Sequence, residues 1–357
     1  MREILSDIRN FIRTPAPEPM AFETLARRLF VFQYEHNQPY RGFCNARRIT
    51  PDNLRHISEV PAIPTTAFKE LELSTLDPTA RTRVFHSSGT TEQKRSRHFH
   101  SEETLRIYED SLLRWFEPHL CPDRTEMNVL ILAPKASEAP NSSLVHMFET
   151  VANQFGRRAI FAAKVAADGG WILDHSRIES AHHLLSQSDV PVLICGTAFS
   201  FVHLCDHLMD HNQTLSFPPG SRVFETGGYK GRSRIVSKVE LHALITERLS
   251  LPQTHIVTEY GMSEISSQAY DRIIGQSTPR WFRFPQWARA SIVSPETGLE
   301  VTDGETGLIR IVDLSNVGSV LAIQTEDLAI RRGDAFELIG RAEFAEARGC
   351  SLMQLNR

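Results

Sequence analysis

The feature that most constrains this fold is the alternation of short apolar runs with helical segments between residues 83 and 260. Residues 128–133 read NVLILA, 190–195 VPVLIC, 222–224 RVF and 255–258 HIVT. Each run has the length of a buried strand and ends in Pro, Gly or a polar turn. Residue 83 opens a further short strand, and 159–165 is another strand-like run. The stretches between carry helical spacing: 101–116, 141–155, a helix from Gly196 through His211, and 237–249. Ser101 is the expected N-cap of the first, with Glu102 and Glu103 favourable in its first turn. Strands alternating with helices predict a mostly parallel sheet with helices packed on its faces.

The ends of the chain follow other patterns. The first 75 residues are mainly helical in character. Within them 60–68 reads VPAIPTTAF, and its two prolines make it an extended connector, read here as a structural brace. From about Trp281 onward, 290–293, 307–312, 320–324 and 335–339 are short strands separated by Gly, Asp and Asn, which predicts a β-rich subdomain.

Composition removes several functional classes. The formal charge of −4 and the lack of a dominant basic block argue against a nucleic-acid partner. The apolar runs fall far short of a membrane span of ~20 residues. The N-terminus lacks the apolar core of a secretory signal. Five scattered cysteines, Cys44, Cys121, Cys195, Cys205 and Cys350, form no CxxC pair and no disulfide framework, which points to a reducing cytoplasm.

Chemistry concentrates where the strands end. Ser87-Ser88-Gly89-Thr90-Thr91-Glu92-Gln93-Lys94 follows a strand and precedes a helix-like stretch. Its hydroxyls and backbone N–H groups can wrap polyphosphate oxygens, Gly89 permits close approach, and Lys94 adds a point charge. It lacks the Gly and Ser/Thr positions of a P-loop. Glu225-Thr226-Gly227-Gly228-Tyr229-Lys230-Gly231 places three glycines after a strand, where nucleotides lie in α/β sheets. In Thr258-Glu259-Tyr260-Gly261-Met262-Ser263-Glu264 the Tyr260 ring can stack on a base. Ser263 can donate to a phosphate or carboxylate oxygen, and Glu264 is a hard oxygen ligand suited to Mg²⁺. Gln324-Thr325-Glu326-Asp327 closes another apolar strand with carboxylates able to accept ribose hydroxyls. Each segment alone is an ordinary turn; three such turns at predicted strand ends weaken that bland reading.

In order along the chain, these segments resemble the adenylate-forming ligase superfamily, and specifically its acyl-protein synthetase (LuxE-type) branch. The resemblance also takes in FQYEHNQPYRGFC from Phe32, VPAIPTTAFK ending at Lys69, NSSLVHM from Asn141, CGTAFSFVHL from Cys195, Gly340-Arg341 and ARGCSL from Ala347. It implies an α/β fold: a large core of mixed sheets sandwiched by helices, a small β-rich subdomain, and the usual C-terminal domain truncated to a short tail. Residues 1–75 would be an N-terminal helical segment of the core, 76–280 the nucleotide-binding core, 281–340 the β-rich subdomain, and 341–357 the hinge and tail.

The resemblance further implies ATP-dependent activation of a carboxylic acid, of the fatty class, to an acyl-adenylate, followed by transfer to a thiol. Ser87, Ser88, Gly89, Thr90, Thr91 and Lys94 would hold the pyrophosphate side. Gly227, Gly228 and Tyr229 would border adenine, with Tyr260 on its face and Gly261 beside it. Ser263 would touch the α-phosphate and the acid, Glu264 would hold Mg²⁺, and Asp327 would hold the ribose with Arg341 nearby. His146, Gly196, Thr197 and Phe199 would wall the acyl pocket.

Two departures stand out. Glu92 replaces a glycine usual in the family's loop, and the lysine of the usual C-terminal domain has no counterpart, leaving its role to Lys94, Lys230 or an unidentified group. Cys350, beside Gly349 and after Arg341 and Arg348, is the expected self-acylated carrier, since nearby positive charge favours a thiolate. The acyl group would pass to a partner reductase. CoA or a carrier protein is the alternative acceptor, and a silent nucleotide-binding subunit the alternative role. His203, His207 and His211 share one helical face, a spacing that can hold zinc but more often marks a solvated or packed face.

Overall fold

A computed structural model describes residues 2–16, 18–87, 94–123, 126–228, 234 and 236–342. The chain opens with helices α1 (Arg2–Arg13), α2 (Pro19–His36) and α3 (Gln38–Ala46). Strand β1 (Ile63–Pro64) and a single-turn helix α4 (Ala67–Glu70) follow. The proline connector is thus extended as far as the turn at Thr65 and Thr66.

Next comes a hairpin, β2 (Arg83–His86) with β3 (Arg97–His100), paired antiparallel from Arg83↔His100 to His86↔Arg97. The expectation of a helix-like stretch directly after the Ser/Thr loop is corrected here. Arg97-His98-Phe99-His100 alternates with period two and returns along β2 before any helix begins. Helix α5 (Glu102–Leu120) then starts as expected, with Ser101 accepting from the Thr104 backbone at 3.3 Å.

The central segment comprises β4 (Met127–Ile131), α6 (Ser143–Phe155), β5 (Gly156–Phe161), β6 (Ala163–Val165), β7 (Trp171–Leu173), α7 (His175–Ser186), β8 (Val192–Thr197), α8 (Ala198–Asp210), β9 (Arg222–Thr226), α9 (Lys238–Leu249), β10 (Ile256–Tyr260) and β11 (Ala269–Tyr270). A six-stranded sheet has the order β11-β10-β9-β8-β4-β5, parallel except for the edge strand β11. The strand-like run 159–165 is not one strand. It divides at Ala162, whose N–H goes to Ile131 and whose carbonyl accepts from Asp174, so β6 leaves the large sheet to pair with β7.

Strand alternation divides this sheet's side chains between two cores. Leu130, Ile194, Val223 and Ile256 pack with α7, α8 and α9. Ile131, Cys195, Phe224 and Val257 face the other way, onto α5 and α6.

The last segment is β12 (Ala288–Val293), β13 (Thr306–Asp313), β14 (Ala322–Arg332) and β15 (Ala335–Arg341). The final two strands are longer than the apolar runs that marked them, and they join through Gly333 at φ +64°, a conformation glycine adopts without strain. β1 adds to this sheet by parallel pairing with β14, Ile63 opposite Ile323. The N-terminal helices and this sheet share one apolar core, including Phe22, Leu29, Phe30, Ile309 and Ile323. Among the described residues, no helix is long and apolar enough to cross a membrane.

Candidate functional site

A cleft of about 690 Å³ opens where β8, β9 and β10 end, with one wall from the second sheet. This is the carboxyl edge of the parallel sheet, where helices diverge and ligands sit in α/β folds. Gly227 and Gly228 continue β9 along it, and Gly227 takes φ +68°. Gly261, Met262, Ser263 and Glu264 continue β10. Thr325, Glu326, Asp327 and Arg341 approach from β14 and β15, and Thr65, Thr66 and Lys69 from β1 and α4.

The turn bearing Ser263 and Glu264 is fixed from behind. Asn316 Nδ2 donates to the Glu264 carbonyl at 3.0 Å. Buried Asp313 accepts from the backbones of Ser266 and Ser267 at 3.0 and 2.9 Å and from the Ser267 hydroxyl at 2.8 Å. The turn is therefore anchored to the second sheet. Ser263 Oγ lies 3.3 Å from the hydroxyl of Ser143, on the first turn of α6, and 3.5 Å from the His86 carbonyl.

Glu264 has a mostly buried carboxyl that accepts from Ser96 Oγ at 3.1 Å. Burial raises its pKa, partly opposed by Ser96, Arg341 and Lys69. Ser96 Oγ also lies 2.8 Å from His98 Nε2. Burial pushes the His98 pKa down to about 3, so this ring is neutral and acts as a hydrogen-bonding prop rather than a counter-ion. Ser87 closes the base of the Ser/Thr loop: its N–H reaches the Ser96 carbonyl at 3.3 Å, and its Oγ accepts from the Ser96 N–H at 3.0 Å.

Asp327 accepts from the Tyr260 hydroxyl at 2.8 Å and stands opposite Arg341 in the β14–β15 ladder. Burial raises the Asp327 pKa against the lowering effect of Tyr260 and Arg341. Arg341 itself donates to Glu326 at 2.6 Å. The Tyr260 ring is enclosed by Phe282, Phe284 and Phe336, leaving the residue 7% exposed and outside the cleft lining.

Several residues singled out in the sequence stand back from the cleft. Lys94 pairs with Glu70 at 2.8 Å on the surface, since α4 brings a carboxylate to it. Gly196 points to the α8 face of the sheet, where an added Cβ would meet Phe201 and Leu132 at 3.0 and 3.2 Å. His146 packs against Phe85 and Tyr108 and bonds Glu109 at 3.1 Å. Thr197 and Phe199 do line the cleft. Ser88, Gly89, Thr90, Thr91, Tyr229 and Cys350 lie outside the described residues. His207 stacks on His175 of α7 and meets His211 at a tilt, with ring centroids 3.7 and 4.2 Å apart. Among the described residues no three His, Cys, Asp or Glu side chains are arranged to hold a metal ion.

Sequence reasoning missed Thr65, Thr66, Lys69, Ser143, Glu259 and Gln268 as cleft residues. Lys69 is the notable one. It has no ion pair among the described residues and lies close enough to Glu264 to lower that carboxyl's pKa. Its signal was the TTAFK end of the segment quoted for the family resemblance, to which no site role was given beyond that of a brace over 60–68.

Comparison with known proteins follows from this geometry. A family model described as acyl-protein synthetase, LuxE, matches residues 18–357. A long-chain-fatty-acid–luciferin-component ligase of Aliivibrio fischeri is 23% identical over 377 residues, covering 98% of this chain and 94% of the relative. The ligase of the same name from Vibrio harveyi is 22% identical, with 92% and 85% covered. Among solved structures, 2-hydroxyisobutyryl-CoA ligase in its postadenylation state superposes with TM-score 0.69 at 14% identity, covering 90% of this chain and 67% of that one. An open conformation of that ligase gives 0.67, with 89% and 73% covered. At such identity the superposition speaks for the fold.

Proposed function

Because the chain belongs to the LuxE acyl-protein synthetase family, we propose that it joins a carboxylic acid, of the long-chain fatty class named for its relatives, to a protein thiol through an acyl-adenylate. A carboxylate oxygen of the acid attacks the α-phosphorus of ATP, the bond from that phosphorus to the bridging oxygen breaks, and pyrophosphate leaves. A thiolate then attacks the acyl carbon and AMP departs with the electrons of the broken C–O bond. The observation that carries this reading is the convergence of Gly227, Ser263, Glu264, Asp327 and Lys69 on one cleft at the carboxyl ends of parallel strands.

Both reactants of the first step are anions, so cations and donors must offset their repulsion. Lys69 takes this role in our reading, with Arg341. Ser263 donates to the reacting oxygens. Asp327, oriented by Tyr260, holds the ribose hydroxyls, Gly227 and Gly228 border the adenine, and Thr197 and Phe199 wall the acyl chain. Glu264 is a hard carboxylate on the cleft lining, with the Ser96 hydroxyl bonded to it and Ser263 adjacent in the chain, a donor set that fits Mg²⁺ held by one protein carboxylate and substrate phosphates. When bound there, the ion neutralises phosphate charge.

Cys350 is the proposed acyl carrier, with a partner acyl reductase as the next acceptor. The other four cysteines support this by their burial. Burial raises the Cys44 thiol to about 11, Cys121 and Cys205 to about 12, and Cys195 well above its ordinary value, which leaves each of them a poor nucleophile. Cys350→Ser should retain ATP–pyrophosphate exchange and lose stable acyl-enzyme. Undiminished thioester labelling, or rapid acyl-CoA formation in that variant, would overturn the assignment.

A further inference from the structure

The last rung of the central sheet differs in character from the one before it. On the α5/α6 face, Cys195, Phe224 and Val257 form an apolar row across β8, β9 and β10. One rung nearer the cleft, the ladder aligns Thr197 with Thr226, Thr226 with Glu259, and Glu259 with Tyr270. Four adjacent strands each present a hydrogen-bonding side chain there. Gln268, two residues from Tyr270 on the β11 side, lines the cleft together with Thr197, Thr226 and Glu259, while Tyr270 lies buried behind them.

These groups are not fully matched to one another. One Glu259 oxygen accepts from the Thr226 hydroxyl. The other lies over Gly261, in space that a Cβ there would take, so a side chain at 261 would displace the carboxyl from its present place. Gln268 is 4% exposed, and among the described residues its Oε1 has no partner; the buried Tyr270 hydroxyl is likewise unpaired among them. Unpaired buried polar atoms are rare and call for an explanation. Among the described residues no cation pairs with Glu259: Lys238, the smallest of the influences on its pKa and a lowering one, is engaged by both oxygens of Glu225 at 2.6 Å. Burial instead raises the Glu259 pKa to about 7, which gives the carboxyl a share of neutral, proton-donating form. Tyr108 of α5 lines the same cleft and is close enough to feel the Glu259 charge.

We infer that Glu259 and Gln268 form a hydrogen-bonding subsite for a hydroxyl substituent on the acid, so that the enzyme prefers hydroxylated carboxylic acids to plain alkanoic acids of equal length. A hydroxyl is at once donor and acceptor, which suits a neutral carboxyl and an unfilled amide oxygen. A bare alkyl chain laid on this floor leaves those groups desolvated and unmatched. Sites built to bind a hydroxyl reject analogues lacking it far more strongly than apolar pockets discriminate by size. The inference rests on the acid-activating reading above and adds the substrate class to it.

The test is acid-dependent pyrophosphate release by the full chain with chain-matched alkanoic acids, hydroxyalkanoic acids with the hydroxyl moved along the chain, and amino acids. At least one hydroxy acid should exceed its alkanoic match by about 10²-fold in kcat/KM. Glu259→Gln should keep most of that preference, while Glu259→Leu and, independently, Gln268→Leu should reduce it to within about tenfold by removing the partners. Equal use of both acid types, preference for the amino acid, or a preference that survives both leucine variants overturns the subsite. If no acid of any kind releases pyrophosphate, the activation reading itself fails; activity without hydroxyl discrimination defeats only the inference made here.

Discussion

Lys238→Met offers a quantitative check on how the glycine-rich edge of the cleft is held. Glu225 is fully buried on β9, one residue before Thr226 and two before Gly227. Lys238, at the start of α9, donates to both of its oxygens at 2.6 Å; Thr258 Oγ1 adds a bond at 3.0 Å, and His242 Nε2 lies 3.5 Å away. Desolvation alone would raise the Glu225 pKa, yet Lys238 and His242 bring it to about 2 from a usual 4.5. At about 1.4 kcal/mol per unit, that depression corresponds to roughly 3 kcal/mol of stability. Breaking a buried pair on one side costs about 3–5 kcal/mol by an independent route. The sign follows from the lowered pKa. Its contribution is complete above the unfolded-state value and is lost as pH falls from about 4.5 towards 2. Urea unfolding near neutral pH should show Lys238→Met less stable by about 3 kcal/mol, with the gap to wild type closing over that acidic window. The double variant with Glu225→Gln should recover part of the loss, since it removes the stranded charge. A loss below about 0.5 kcal/mol, or a double variant worse than the sum of the singles, would refute the reasoning.

Two other substitutions probe the cleft. Lys69→Gln should lower ATP–pyrophosphate exchange by about 10²-fold or more while leaving thermal stability unchanged, as expected of a partly exposed cation that serves the reacting anions; unchanged exchange would remove Lys69 from the mechanism. Tyr260→Phe should raise the KM for ATP by roughly tenfold through loss of one hydrogen bond to Asp327, with kcat moving less. An effect confined to kcat, measured by the same exchange assay, would place Tyr260 elsewhere.

What could be read from the sequence was local. Strand ends followed by Gly, Ser or Thr announced themselves at 226–228 and 260–264, and the short apolar runs marked β8, β9 and β10 as buried, while period-two alternation, which divides their side chains between two faces, went unread. The Ser101 cap was visible as a residue type in the right place. The same alternation, applied to parity, would have set Gly196 on the face opposite Thr197 and turned Tyr260 away from Glu259. What could not be read was non-local. Nothing near Lys94 shows that Glu70 will neutralise it, and nothing near Lys69 shows that it will stand beside Glu264. Nothing in the sequence around His98 shows that it will be buried and bonded to Ser96.

The parallel pairing of Ile63 with Ile323 has a consequence for how the molecule is made. Contacts so distant along the chain close late, because the entropy of the intervening loop must be overcome first. A ribosome exposes Lys69 before the central sheet, but the β14 strand that pairs with β1 just ahead of it emerges only after that sheet is complete. The central sheet can collapse in the interval with its strand ends in place and one wall of the cleft missing. Competence for chemistry is therefore acquired in a final docking event rather than gradually.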